Sequence, residues 1–241
     1  MKLSVALNFL LDLRFPISIA IKPTLRDIVQ CPSLLIRPAA LSDVFMHHLW
    51  AVFGAGVDEN SNGHTANYLD STKVTRYIAL EPNVHMHAEL RKRANAAGFT
   101  EADGTFLLLS LGAQDIDLIC AAVGGTQQID TLVSILTLCS VPDPVKTIYA
   151  LLEKGLKPGG NLLFHEHVRN TREDVAWWQG FWNPVWGMFF GGCKMNRPTD
   201  VWIDEWPGWE ERSVFTPERE AEEPERFFCH RVGQYVKAKA S

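Results

Sequence analysis

Between Val74 and His167 short apolar runs alternate with amphipathic stretches, and this alternation constrains the fold more than any other feature of the chain. Val74–Leu80, Thr105–Leu111, Ile129–Leu138 and Asn161–His167 read as strands. Val84–Ala97, Ala113–Val123 and Asp143–Lys154 read as helices between them. The first helix stops at Gly98, the second at Gly124-Gly125, and Pro144 sits in the first turn of the third. Nearly continuous apolar strands separated by amphipathic helices specify a parallel sheet covered on both faces. The expected class is α/β, with a Rossmann-like, mostly parallel sheet and helices on both sides. Leu156-Lys157-Pro158-Gly159-Gly160 predicts a tight turn before the last of these strands.

The tail has a different pattern. Arg172 to Phe190 predicts a long aromatic helix, or a pair interrupted at Pro184. Val201–Asp204, Glu211–Phe215 and Arg226–Val236 read as strands, joined by Gly/Pro turns and the acidic stretch Glu218–Glu225. Late strands with no crossover helix pair antiparallel.

The first fifty residues read as helical pieces, with Pro16, Pro23, Pro32 and Pro38 each ending or beginning an element. Leu3, Leu7, Leu10, Leu11 and Leu13 give one apolar face, Leu25–Val29 a short second piece, and Leu41–Phe53 a better helix. Residues 1–53 are expected to form a helical cap or lid, and 54–241 a Rossmann-like domain, in one compact unit. A lid over a ligand pocket and an amphipathic foot on a membrane surface are both compatible with this segment. Residues 3–21 carry Asp12, Arg14 and Pro16, which a spanning helix tolerates badly.

Composition narrows the function classes. A length of 241 residues with 46% hydrophobic and 21% charged residues suits one globular domain. A net charge of −5 argues against a nucleic-acid partner held through phosphates. The five cysteines are dispersed, with no closely spaced pair, as expected in a reducing, cytoplasmic setting.

The stretch Gly54–Asn83 carries the logic of a nucleotide site. Gly54, Gly56 and Gly63 lie in a polar run, Gly63-His64-Thr65 can open a short helix, and the strand after it ends on Glu81-Pro82-Asn83. Glycines admit close backbone approach, a helix start offers free N–H groups, and an acid at a strand end accepts from ribose hydroxyls. Ligands of open parallel sheets bind outside the carboxyl ends of the strands. The other groups at strand ends are Gly112-Ala113-Gln114, Leu138-Cys139-Ser140 and His165-Glu166-His167.

On VTRYIALEPN, IDTLVSILTLCSVPDP, LKPGGNLLFHEHV and DVAWWQGFWNPVWGMFFGGC, the chain resembles class I S-adenosylmethionine-dependent methyltransferases. Within that superfamily it is similar to a small fungal family of methyltransferase-like proteins. The resemblance implies S-adenosylmethionine as cofactor, a small and largely apolar acceptor, and a setting in secondary metabolism. It implies that Glu81 binds the ribose. Ala113 and Gln114 would border the adenine, and Leu138, Cys139 and Ser140 would line the methionine half. The family's first motif is a strand followed by glycines. Here either Gly54-Ala55-Gly56 replaces that loop after a curtailed strand at Trp50–Phe53, or the first strand is lost. The sequence favours loss, and a second copy of the chain or the N-terminal helices would then cover the bare edge.

On the strand ending at His167, one face holds His165 and His167 and the other Glu166. His167 or Glu166 is the candidate general base. No third ligand is evident beside the histidines, so no metal is expected. Cys139 has no base beside it in sequence and is read as packing. Trp177, Trp178, Trp182 and Trp186 recur at helical spacing, a natural wall for an apolar substrate with Gln179 as the polar group that orients it.

Overall fold

The structure, a computed structural model, describes residues 3–56, 69–217 and 225–240. The chain divides into two compact units, Met1–Leu13 with Ala113–Ser241, and Arg14–Gly112. The division therefore does not fall at residue 53. The N-terminal residues are helical, but their first dozen belong with the C-terminal half.

Helix α1 (Leu3–Gln30) runs unbroken through Pro16 and Pro23. The prolines do not end it, although each removes an intrahelical bond at a cost of about 3 kcal/mol. Burial of Phe9, Leu13 and Ala20 opposes that cost. The Thr24 hydroxyl also donates to Ala20 O at 2.7 Å, in the turn that carries Pro23. After a short 3₁₀ turn (Pro32–Ile36), α2 spans Pro38–Gly56. Trp50–Phe53 is thus helical and forms no curtailed strand.

In the unit Arg14–Gly112, β1 (Tyr77–Leu80) and β2 (Phe106–Leu109) pair in parallel, in register from Tyr77↔Phe106 to Leu80↔Leu109. The link is α3 (His87–Ala96), which stops before Gly98 at φ +88°, a conformation that favours glycine. Ala79, Ala94, Phe99 and Phe106 form the small core. Among the described residues β1 is the first strand of the chain.

The other unit holds four strands in the order β3 (Ile129–Ile135), β4 (Leu156–Val168), β6 (Cys229–Lys237), β5 (Trp209–Phe215). β3 and β4 are parallel, and β4–β6 and β6–β5 are antiparallel. The architecture is α/β and Rossmann-like, with the parallel pairs in two separate sheets and antiparallel strands last. Helix α4 (Ile116–Val123) precedes β3 and α5 (Pro144–Ala150) follows it. The Leu156–Gly160 turn lies inside β4 as an irregularity, where the register jumps from Ile129↔Leu156 to Thr131↔Asn161. A Cβ at Gly160 would meet Asp130 O and Lys157 O at 2.9 Å, so only glycine lets the strands close there. Gly233 faces the Phe164 ring, which a Cβ would meet at 2.4 Å.

Helix α6 (Glu173–Phe189) passes through Pro184 without dividing. Val201–Asp204 is not a strand; it belongs to helix α7 (Thr199–Asp204). Short apolar runs fit either period. Here Thr199 and Ile203, one helical turn apart, are both fully buried, which decides for the helix. The core gathers Leu152, Leu156, Leu162, Phe164, Trp206, Trp209 and Tyr235 around β4. No helix among the described residues is long and apolar enough to cross a membrane.

Candidate functional site

The candidate residues fall into both units. In Arg14–Gly112, Glu81 follows β1 directly, and its backbone N–H donates to Leu109 O at 3.0 Å. Its carboxylate accepts the Asn83 N–H at 2.7 Å and its carbonyl accepts from His87 Nε2 at 2.8 Å. Burial raises the Glu81 pKa, against the Asn83 hydrogen bond and the nearby His87, with Asp43 adding to the rise. The carboxylate sits at the strand's carboxyl end, the position a ribose-binding acid needs. Asn83 is itself engaged: its side chain caps the turn at Val84–Met86 by accepting from His85 N, and its amide donates to Asp43 O. Pro82 is exposed.

The glycines give a different result. Gly54 and Gly56 lie in the last turn of α2 and not in a loop. Helical backbone turns its N–H groups into its own ladder, so these two glycines offer no cradle for a ligand. Gly63, His64 and Thr65 lie outside the described residues. The acid at the β1 end fits a nucleoside, and the glycine loop at Gly54–Gly56 does not.

This unit also holds a cluster that no motif announced. His47, His48 and His85 pack with ring centroids 5.3 and 6.0 Å apart, His47 in the middle. His48 Nε2 pairs with Asp27 of α1. His47 Nδ1 is buried with no hydrogen-bond partner among the described residues. Burial, then His48 and His85, lower the His47 pKa, with Asp27 opposing. These residues come from α1, α2 and the turn after β1, so their meeting is not visible in sequence spacing.

Gly112 is the last residue of the unit Arg14–Gly112. In the other unit, Ala113 packs on the main core and Gln114 is exposed, with its amide 3.4 Å from Asp115 Oδ2. Leu138 and Cys139 are buried in the turn after β3, and Ser140 is half-buried. Glu166 lies behind that turn and is fully buried. Its Oε1 accepts the Ser134 hydroxyl at 2.7 Å and the Thr137 N–H at 3.1 Å, and its Oε2 accepts the Leu138 N–H at 3.1 Å. Burial pushes its pKa up to about 7, against those three donors. Both oxygens are thus committed to the framework: Glu166 shapes the turn holding Leu138 and Cys139 and does not face a substrate. Arg197 clamps the same turn by donating to Leu138 O at 3.1 Å and Val141 O at 2.7 Å.

Gln179 is also fully buried and used internally. Its Oε1 accepts the Asn170 N–H at 2.9 Å and its Nε2 donates to Phe227 O at 2.7 Å. It ties α6 to the chain entering β6 and has no group left to orient an acceptor. His167 is buried; its Nε2 donates to Phe227 O at 3.2 Å. That bond fixes the proton on Nε2 and leaves Nδ1 as an acceptor. Nδ1 lies 3.8 Å from Cys193 Sγ, which in turn lies 3.1 Å from Cys139 Sγ. His165 and His167 both rest against the His230 ring of β6, at 5.1 and 5.4 Å. Among the described residues no group of three or more such side chains is arranged to hold a metal ion.

The tryptophans divide. Trp186 is buried and, with Trp182, packs on Phe9 of α1. Trp177 is 62% exposed and stacks on Phe181, itself 55% exposed. Trp178 meets both edge-on. Trp182 and Trp186 are chiefly core, and Trp177 stands on the outer face of α6.

No family model matches the chain. It is 34% identical over 112 residues to the rat thiol S-methyltransferase TMT1B, covering 46% of this chain and 43% of the relative. It is 38% identical over 76 residues to the human protein of the same name, covering 31% and 30%. The matches span less than half the length of these relatives. Among solved structures, an O-methyltransferase family protein from Burkholderia thailandensis aligns with a TM-score of 0.49 at 12% identity, over 84% of this chain and 60% of that one. The CurJ carbon methyltransferase aligns with a TM-score of 0.49 at 14% identity, over 93% and 61%. Superposition at that level says nothing of activity. What the sequence matches carry is similarity, over about half of this α/β Rossmann-like chain, to thiol S-methyltransferases.

Proposed function

We propose that the chain transfers a methyl group from S-adenosylmethionine to the sulfur of a small, largely apolar thiol. The observation that carries this reading is the 34% identity over 112 residues to a thiol S-methyltransferase. The geometry of Glu81 supports it: a half-buried carboxylate closes a parallel strand, where two ribose hydroxyls would donate to it. The cofactor supplies an electrophilic methyl group, and the protein's part is to hold a thiolate in line with it. The resemblance to fungal methyltransferase-like proteins supports a role in secondary metabolism, and the dispersed cysteines support a reducing, cytoplasmic setting.

One observation favours a second reading. Gly54 and Gly56 are helical, and no strand precedes β1 among the described residues. A fold without its glycine cradle can keep an apolar pocket while losing methyl transfer. It would then act as a cyclase, isomerase or dehydratase, or as a non-catalytic binder.

Calorimetric titration with S-adenosylmethionine and with S-adenosylhomocysteine separates the two. Micromolar binding followed by methylation of an alkyl thiol is the expected result. No heat from either compound near millimolar concentration overturns the methyltransferase reading and leaves the second.

A further inference from the structure

Cys139 and Cys193 are far apart in sequence, yet their sulfur atoms are 3.1 Å apart in the same unit. They arrive there for separate reasons. Cys139 sits in the turn after β3 that Glu166 and Arg197 hold in shape. Cys193 follows a turn at Gly191 and Gly192, with φ +58° and +80°, that ends α6. The two segments are bound through their main chains, Lys194 N–H donating to Cys139 O at 3.0 Å. The sulfurs have about 1 Å to close to reach the S–S bond length of about 2.05 Å.

The surroundings make the two thiols unlike each other. Cys193 lies 3.8 Å from His167 Nδ1, the nitrogen left unprotonated when Nε2 donates to Phe227 O. The Cys139 hydrogen bond, then His167, hold the Cys193 thiol well below its ordinary range, against burial. The same bond, together with burial, pushes Cys139 well above it. A thiolate-forming sulfur beside a base, touching a second thiol that keeps its proton, is the arrangement of an attacking and a resolving cysteine.

We propose that Cys139 and Cys193 form a reversible dithiol–disulfide pair whose oxidant is hydrogen peroxide, with Cys193 attacking and Cys139 resolving. In the first step the Cys193 proton passes to His167 and the sulfur attacks one peroxide oxygen. The S–O bond forms, the O–O bond breaks, and the leaving hydroxide takes the proton from His167 as water. In the second step Cys139 sulfur attacks the sulfenic sulfur. The S–S bond forms, the S–O bond breaks, and the departing hydroxide takes the Cys139 proton as a second water. Two thiols and one peroxide give one disulfide and two waters. Both sulfurs are buried, so only a small oxidant can reach them. The proposal does not depend on methyl transfer.

The test uses the full chain, hydrogen peroxide and mass spectrometry after alkylation and tryptic digestion. The expected product joins the peptide ending at Lys194 to the peptide ending at Lys146, with fragmentation placing the bond at Cys139 and not at Cys120 of the same peptide, and dithiothreitol releases it. With Cys139→Ser, Cys193 is expected to stop as a sulfenic acid that dimedone traps. With Cys193→Ser, Cys139 is expected to stay a thiol. Native protein in which both cysteines stay reduced while exposed Cys31 oxidises overturns the proposal, and so does cross-linking of either to another cysteine. The native-protein result stands even if a variant fails to fold.

Discussion

The Leu138 N–H donates to Glu166 Oε2 at 3.1 Å, tying the turn after β3 to β4, one of the two inner strands of the four-stranded sheet. With the Ser134 and Thr137 bonds, this one carboxylate fixes the conformation of the segment that presents Leu138, Cys139 and Ser140.

Glu166→Gln places an amide N–H₂ against a backbone N–H and loses an acceptor. The expected cost is about 1–3 kcal/mol of stability, read by urea denaturation at neutral pH. The pH dependence identifies the group. Its folded pKa, about 7, lies above the 4.5 of the free side chain. Its contribution is thus fully present below 4.5 and is lost as pH rises through 7. Native protein is expected to lose stability over that window, and the Gln variant to lack that part of the slope. Parallel curves for the two would remove the carboxyl from the account.

Glu81→Ala tests the nucleoside end. The expected result is a cofactor affinity weaker by roughly 10- to 100-fold, from loss of charged hydrogen bonds to the ribose. Circular dichroism is expected to stay unchanged, because the side chain is only half-buried and bonds within its own turn. Equal affinity in variant and native protein would take Glu81 out of the site.

His47 makes the Arg14–Gly112 unit acid-sensitive. Its folded pKa lies below the ordinary 6.5, with burial the first cause and His48 and His85 adding to it, while Asp27 opposes. The neutral ring is favoured in the folded state, so stability is full above 6.5 and falls as the pH drops below it. His47→Phe keeps the ring and removes the proton. Hydrogen exchange of β1 and β2 amides at pH 5 is expected to be slower in the variant than in the native chain. Faster or equal exchange would count against His47.

The aromatic helix α6 gives a contrast between two neighbours. Trp186→Ala empties a buried position against Phe9 and Phe190 and is expected to cost about 3–5 kcal/mol. Trp177→Ala, on the exposed face, is expected to cost less than about 1 kcal/mol. Thermal unfolding of both variants checks the difference. A large destabilisation at Trp177 would mean that its face is covered in solution.

The sequence by itself determined the class of fold and the order of its elements. Apolar runs at Tyr77–Leu80, Phe106–Leu109 and Ile129–Ile135 are local facts, and the strands sit where those runs stand. Gly98, Gly124 and Pro144 mark helix ends because their backbone constraints act within a few residues. Tertiary structure decided the rest. It carried α1 through two prolines and turned Val201–Asp204 into α7, because burial at a distance outweighs local propensity. It also set the side-chain roles. Glu166 and Gln179 read as catalytic groups from their place at a strand end and on an aromatic helix, yet their polar atoms are taken by backbone N–H and carbonyl groups brought from remote segments. Cys139 has no base beside it in the chain and acquires one, through Cys193, only when β3, β4 and the turn after α6 come together. Hydrogen bonds and thiol contacts of this kind depend on ångström-scale approach between remote residues, which no spacing along the chain encodes.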